Sequence, residues 1–81
     1  WLDHVEKFVN QLVNQFKIDK ENQVIEIASN DGYLLRHFKE KNISILGIEP
    51  AKNLAKLANK NKIKTFNGFL EKNNLKILKN E

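Results

Sequence analysis

Two carboxylates and a tight loop of small residues are the part of this sequence best suited to bind a ligand. The loop Ala28–Gly32 reads Ala-Ser-Asn-Asp-Gly and follows an apolar run, and Glu49 ends a second apolar run. Small residues let a ligand approach the backbone of such a loop, and a helix N-terminus behind it favours negative charge. A carboxylate in the position of Glu49 can accept hydrogen bonds from both hydroxyls of a ribose. The pattern therefore predicts a site for a nucleoside-containing ligand.

Glu26 is unexpected within the first apolar run. A carboxylate in a buried strand needs a partner, and the positive α-amino group of a bound ligand would serve. Pro50 is rigid and apolar, and it is placed to pack near an adenine. Plainer interpretations stay open: Glu26 lies in solvent at a sheet edge, Glu49 caps the following helix, and Tyr33 packs rather than reacts.

Helical and strand-like patterns alternate along the chain. In order, the sequence predicts a helix from Trp1 to about Lys17, a strand at Val24–Ala28 covered on both faces, a helix from Leu34 to near Asn42, a strand at Ile43–Ile48, a third helix, a strand at Ile63–Phe66, and a weak helix or tail over 71–81. Strands that alternate with helices predict a parallel sheet. We expect a Rossmann-like three-layer α/β/α fold, present only as its first half of about three strands.

The third predicted helix begins at Pro50, because proline is favoured at the first helical position, and it buries Leu54, Leu57 and Ala58. Two dipeptides also match hairpin turns. Asp31-Gly32 is one, although the spacing after it is helical, and Asn67-Gly68 is a stronger one to which we assign no function. In domain terms we expect one partial domain over 1–81, with a leading helix over 1–18 and a binding unit over 24–70.

Composition narrows the function classes. The chain has 81 residues, 41% of them hydrophobic and 30% charged, which is typical of a small globular domain. It has no apolar run of membrane-spanning length and no cysteine, so we expect a cytoplasmic protein without membrane contact, disulfide or cysteine-bound zinc. His4 and His37 fall on different elements, and no metal site is expected. The chain starts at Trp1 rather than Met, as a piece of a longer protein would.

The net charge of +4 raises the question of a nucleic-acid partner. Lys52, Lys56 and Lys60 recur every four residues, which places them along one solvated helix face. The aromatic residues that usually accompany the basic side chains of a nucleic-acid surface are missing there. We therefore expect a small-molecule substrate rather than nucleic acid.

The blocks Glu26–Leu35 and Leu46–Ala51 resemble class I S-adenosylmethionine-dependent methyltransferases, and more narrowly the C-methyltransferases that act on nucleotide-linked keto-deoxysugars. In that family a strand ending in E-I-x-S-N-D-G-Y-L-L precedes a strand ending in G-x-E-P, and the resemblance covers roughly Val24 to Leu70. It implies that the cofactor is S-adenosylmethionine, with its methionine end on the loop, its ribose on Glu49 and its adenine beside Pro50. The residues expected to bind the cofactor are Glu26, Ala28, Ser29, Asn30, Asp31, Gly32, Tyr33, Glu49 and Pro50.

Some features depart from the family pattern. Ala28 stands where many methyltransferases have glycine, and the third strand ends in Phe69-Leu70 rather than in two aromatic residues. The family also has a cysteine-bearing zinc domain before this region, with more strands and the proton-abstracting residues after it. We therefore expect no catalytic residue in these 81 residues, and we expect the piece alone to be inactive. Its first strand, central in a complete sheet, would be an exposed edge that favours self-association.

Two other function classes stay open. One is the NAD-binding half of an oxidoreductase, although the loop has one glycine where the dinucleotide fingerprint has three. The other is a non-catalytic interaction module that keeps the fold. An RNA methyltransferase is a weaker variant, since only the net charge favours it.

Overall fold

Three helices alternate with three strands in the computed structural model, which describes residues 3–69. In chain order the elements are α1 (His4–Phe16), β1 (Gln23–Ile27), α2 (Leu35–Lys39), β2 (Ser44–Glu49), α3 (Lys52–Lys60) and β3 (Thr65–Asn67). The predicted alternation of helix and strand is confirmed over this range. The predicted helix or tail over 71–81 lies outside the described residues, as do Trp1 and Leu70.

The strands form one parallel sheet in the order β1-β2-β3. Val24 pairs with Ile45 and Ile27 with Ile48, while Glu49 pairs with Asn67 on the other side of β2. Parallel strands joined by helices give a partial Rossmann-like α/β fold, as the sequence predicts. The parallel pairing also shows that the hairpin interpretation of Asp31-Gly32 is wrong, because α2 follows that turn instead of a returning strand.

Residues from all three helices meet in one hydrophobic cluster against the sheet. Val9 of α1, Leu35 of α2 and Ala58 of α3 are fully buried there. Ile45 of β2 is buried in the same cluster, and Val24 packs against it. Burial of an aliphatic side chain stabilises a fold by roughly 1.5–3 kcal/mol. The helices therefore pack on the face of the sheet that carries Val24 and Ile45, and they fix the strand ends that follow.

β1 is not covered on both faces, contrary to the prediction. Ile25 is 41% exposed and Ile27 51% exposed, whereas their register partners Leu46 and Ile48 in β2 are buried. The reason is position in the sheet, because β1 is hydrogen-bonded to β2 alone among the described strands while β2 has a neighbour on each side. The prediction that β1 forms an edge is confirmed for the described sheet.

α3 begins later than predicted. Pro50 precedes the N-cap residue Ala51, whose carbonyl accepts the N–H of Ala55 at 3.0 Å, so Pro50 is outside the helix. The predicted inner face is also partly wrong, since Leu57 is 42% exposed while Ala55 is buried beside Ala58. The small residues Ala55 and Ala58 thus form the buried side of α3, and the larger Leu57 lies outside it.

Local hydrogen bonds and backbone conformation mark the two ends of α1 and the start of β3. The Asp3 carboxylate accepts the N–H of Glu6 at 2.8 Å and starts α1, and Lys17 ends it with a left-handed φ of 53°. β3 starts two residues later than predicted, at Thr65, whose backbone N–H and carbonyl both bind the side chain of Asn59 at 2.9 Å. No helix within residues 3–69 has the length and apolarity needed to span a membrane.

Candidate functional site

The carboxyl ends of the strands carry the predicted site residues. β1 runs into the Ala28–Gly32 loop, β2 ends at Glu49, and β3 ends at Asn67. In open α/β sheets ligands bind outside this edge of the strands. The structure thus brings the loop and Glu49 together, as the sequence predicts, and it adds Asn67.

The loop alternates left-handed residues with others. Ala28, Asn30 and Gly32 have φ values of 59°, 63° and 87°. Asparagine tolerates this conformation, as expected, and Gly32 has a second constraint because a Cβ there would come within 2.6 Å of the Ile63 side chain. Alanine has no such tolerance, so Ala28 is strained where a glycine would not be. Asp31, between Asn30 and Gly32, does not have a positive φ.

Every backbone N–H from Ala28 to Tyr33 already has an acceptor within the chain. The donors reach the Ile48 carbonyl (Ala28 at 2.7 Å and Ser29 at 3.2 Å), the Glu49 carboxylate (Asn30 at 2.6 Å), the Asn30 side chain (Asp31 at 3.0 Å), the Ser29 carbonyl (Gly32 at 3.0 Å) and the Asp31 carboxylate (Tyr33 at 3.1 Å). A loop that binds phosphate needs free N–H groups pointing at the ligand. In this conformation the loop offers no free N–H group from these six residues, and the role of the loop in holding a ligand stays a prediction.

Glu49 is 5% exposed, and its two carboxylate oxygens are both engaged. Oε1 accepts the N–H of Asn30 at 2.6 Å, and Oε2 accepts the N–H of Ala51 at 2.7 Å. Hydrogen bonds of this kind to a charged acceptor are short and strong. A carboxylate has about four lone-pair positions, so Glu49 keeps acceptor capacity for a ligand. One carboxylate oxygen therefore binds at the start of α3, as the interpretation of Glu49 as a helix cap requires. The other oxygen binds the loop after β1.

Glu26 lies on the helix-covered face of β1 and is partly buried. Its Oε1 is shielded from solvent without a hydrogen-bond partner among the described residues. Burial raises the pKa of this carboxyl above its ordinary value of 4.5. The alternative in which Glu26 extends into solvent does not fit these observations. A buried acceptor without a donor is where a positively charged ligand group would bind most favourably.

Ser29 and Gly47 are in contact behind the loop. Ser29 is fully buried, its Oγ has no partner among the described residues, and a Cβ on Gly47 would overlap that Oγ. Gly47 is therefore required for the loop to fold back against β2. Ser29 packs inside the protein, which differs from the ligand-facing position that the sequence leads us to expect.

The remaining predicted residues lie around the loop. Tyr33 is 52% exposed and Pro50 is exposed, so both side chains are accessible to a ligand. The Asp31 carboxylate accepts the N–H of Tyr33 and closes the turn before α2. The sequence pattern does not indicate Asn67, whose Nδ2 donates to the carbonyls of Glu49 at 2.9 Å and Pro50 at 3.1 Å.

Two surface cavities differ in their position relative to the predicted site residues. The larger, of about 480 Å³, lies at the opposite, amino ends of β1 and β2, between Ile18 and Ile43, and contains none of the predicted site residues. The smaller, of about 300 Å³, is lined by Asp31, Gly32 and Tyr33 of the loop together with Arg36. The smaller cavity therefore shares three residues with the predicted site, whereas the larger shares none.

The histidine and lysine residues singled out in the sequence lie outside the set of predicted site residues. No group of three or more acidic or histidine residues within residues 3–69 could hold a metal ion. His37 is buried, with its Nδ1 3.5 Å from the Glu40 carboxylate. Lys52, Lys56 and Lys60 are all exposed along α3, which confirms the predicted solvated face.

The parallel half-sheet, its tight loop and the carboxylate that ends β2 form a partial Rossmann-like fold that is similar to class I S-adenosylmethionine-dependent methyltransferases. By sequence, the chain is 31% identical over 65 residues to the C-methyltransferase NovU of Streptomyces niveus, a match that covers 80% of this chain and 16% of NovU. By fold, it matches the crystal structure of MccD protein with a TM-score of 0.61 and 23% identity, over 70% of this chain and 29% of that one. No family model matches the chain.

The chain therefore spans about one sixth of the length of NovU and under a third of MccD. The similarity to MccD shows the fold. The similarity to NovU agrees with the resemblance seen in the sequence blocks around Glu26 and Glu49.

Proposed function

We propose that this chain is the S-adenosylmethionine-binding half of a methyltransferase that methylates carbon in a small, nucleotide-sugar-like acceptor. The similarity to a C-methyltransferase supports the reaction class. A cytoplasmic location, expected from the sequence, is part of the same proposal. The proposed class of methyl acceptor, a nucleotide-linked sugar, rests only on the resemblance of the sequence around the Ala28–Gly32 loop.

The observation that carries the proposal is the balance of donors and acceptors at the loop. The backbone N–H groups of Ala28–Tyr33 are all used within the chain, while the carboxylates of Glu26, Asp31 and Glu49 belong to the same edge of the sheet. A diphosphate requires free donors and repels carboxylates. A ligand with an ammonium and a sulfonium group is favoured by them. The site therefore favours S-adenosylmethionine over NAD.

The residues present fit this cofactor, since Glu26 has a buried acceptor without a donor and Glu49 has two lone-pair positions to spare. Glu26 would bind the α-amino group, Glu49 the ribose hydroxyls, and Pro50 the adenine edge. When bound, S-adenosylmethionine supplies an electrophilic methyl group. The proposed role of these residues is to bind and orient the cofactor. We assign none of them the removal of a proton from the molecule that receives the methyl group. We expect this piece alone to be inactive.

An NMR amide titration with S-adenosylmethionine, and separately with NAD, tests the proposal. We expect shifts at Ala28–Tyr33 and around Glu49 with S-adenosylmethionine, and their loss in Glu49→Ala. The matched control is Glu21→Ala, an exposed glutamate in the connector before β1. Shifts with NAD alone would favour the oxidoreductase interpretation. No shift with either ligand would contradict the proposal and favour a non-catalytic interaction module.

A further inference from the structure

Asn67 is the last residue of β3, and its side chain bridges from β3 to the segment that follows β2. Its Nδ2 donates hydrogen bonds to the carbonyl oxygens of Glu49 at 2.9 Å and Pro50 at 3.1 Å. The N–H of Gly68 also donates to the Glu49 carbonyl, at 3.1 Å. The end of β3 thus binds the backbone carbonyls of the two peptide bonds that flank Pro50.

The hydrogen bond from Asn67 to the Pro50 carbonyl involves the same peptide group whose N–H binds the Glu49 carboxylate. The Pro50 carbonyl and the Ala51 N–H belong to a single planar trans peptide, in which the oxygen and the hydrogen point in opposite directions. Asn67 binds the oxygen, and the N–H donates to Oε2 of Glu49 at 2.7 Å. Fixing the oxygen fixes the direction of the N–H, and a chain of hydrogen bonds strengthens its members.

We infer that Asn67 is a positioning residue, which orients the Glu49 carboxylate toward the ribose through the Pro50–Ala51 peptide. The inference rests on the proposed function, since it assumes a ribose at Glu49. Asn67 itself need not touch the ligand. Its effect should therefore be felt in how well the site distinguishes a ribose from a deoxyribose, more than in whether the chain folds.

The test compares the affinities of adenosine and 2′-deoxyadenosine, measured by NMR titration on the wild-type chain and on Asn67→Asp. Aspartate has nearly the same shape as asparagine but, when ionised, has no donor for the two carbonyls. A hydrogen bond to a charged acceptor is worth enough that wild type should prefer adenosine by about tenfold. In Asn67→Asp we expect this preference to fall to about twofold or less.

Asn59→Ala is the matched control, because Asn59 also binds β3, through the N–H and carbonyl of Thr65, at the other end of the strand. It should lower stability while keeping the tenfold preference. Asn67→Ser, which introduces no charge, is measured in the same way as a second variant of Asn67. Circular dichroism reports whether each variant is folded. A loss of ribose preference in folded variants of Asn67 alone would separate positioning from a purely structural role.

The remaining outcomes are distinguishable. If wild type prefers adenosine and Asn67→Asp keeps that preference, the inference fails while the proposed function stands. If wild type binds S-adenosylmethionine but shows no preference between the two nucleosides, the inference fails because Glu49 does not bind the ribose. If wild type binds neither S-adenosylmethionine nor adenosine, the proposed function fails and the inference fails with it.

Discussion

The Oε1 oxygen of Glu49 accepts the backbone N–H of Asn30 at 2.6 Å, which ties the end of β2 to the middle of the loop after β1. Asn30 has a left-handed φ of 63°, and the hydrogen bond stabilises that conformation. The same carboxylate holds Ala51 at the start of α3. Glu49 therefore organises the site before any ligand is bound, in addition to its proposed role in binding the ribose.

Glu49→Gln should destabilise the ligand-free chain. Glutamine keeps one acceptor oxygen, but its NH₂ group would face one of the two backbone N–H donors, Asn30 or Ala51. A buried donor that loses its partner costs about 1–3 kcal/mol of stability. Urea unfolding followed by circular dichroism measures the difference. If Glu49 bound only a ligand, the variant and wild type would unfold at the same urea concentration.

The exposed Glu21 provides the control for that measurement. Glu21→Gln makes the same chemical change in the connector before β1, and surface substitutions usually change stability by no more than about 0.5 kcal/mol. A similar loss in both variants would indicate a general effect of charge rather than a role for Glu49.

Much of the fold and part of the site follow from local sequence patterns. The alternation of apolar strands with amphipathic helices determines a parallel sheet, and the chain order then brings the Ala28–Gly32 loop next to Glu49. These features are predictable because each depends on residue type and spacing within one element. The exposed lysine face of α3 is predictable for the same reason.

The rest depends on contacts between elements. No spacing rule shows that Asn67 reaches the carbonyl of Pro50, since the two belong to different elements and meet through the register of β2 and β3. Likewise, the half-exposed Ile25 in β1 resembles the buried Leu46 in β2 by composition, and only their places in the sheet distinguish them. The use of the loop N–H groups within the chain depends on the folded path of the loop.

Ala28→Gly should stabilise the fold. A non-glycine residue in the left-handed region costs roughly 1–2 kcal/mol, and Ala28 has a φ of 59°. Glycine gives back about 0.4–1 kcal/mol through its greater freedom in the unfolded chain. The net gain should lie between about 0 and 1.6 kcal/mol, measured by thermal or urea unfolding. Ala55→Gly is the control with the opposite sign, because Ala55 lies within α3, where glycine costs about 1 kcal/mol.

Gly47→Ala should destabilise the fold, because the added Cβ would overlap the Oγ of Ser29. Overpacking of this kind typically costs about 1–3 kcal/mol. Ser29→Gly in the same chain removes the obstructing atoms, so the double variant should recover part of the loss. A double-mutant cycle in urea measures the coupling. Equal losses with and without Ser29 would show that the two residues do not meet.

We propose that the chain self-associates through β1. In the described sheet, the outer edge of β1 is unpaired, and the half-exposed side chains of Ile25 and Ile27 extend from one face of this strand. Such an edge can pair with a second copy, and antiparallel pairing centred on Ile25 would place the two Ile25 side chains against each other. Sedimentation velocity over a concentration series should show dimers. Ile25→Lys should abolish them, whereas Leu57→Lys, a matched change at an exposed leucine of α3, should not.

The raised pKa of Glu26 should make both stability and ligand binding depend on pH. Burial raises this pKa above 4.5, so in the range between 4.5 and the folded-state pKa the folded chain binds more protons than the unfolded chain. Stability therefore falls as the pH rises through that range and then levels off. Glu26→Gln should be more stable than wild type above the range, and the difference should shrink toward pH 4.5. Urea unfolding at a series of pH values measures this.

A bound ammonium group would favour the ionised form of Glu26 and reverse this balance. S-adenosylmethionine should therefore bind wild type more tightly as the pH rises through the same range, and binding there should release a proton. Calorimetry in two buffers with different heats of ionisation counts that proton. Glu26→Gln should bind more weakly and release none from this site. Proton release that persists in Glu26→Gln would assign the titrating group elsewhere and contradict the proposed contact between Glu26 and the α-amino group.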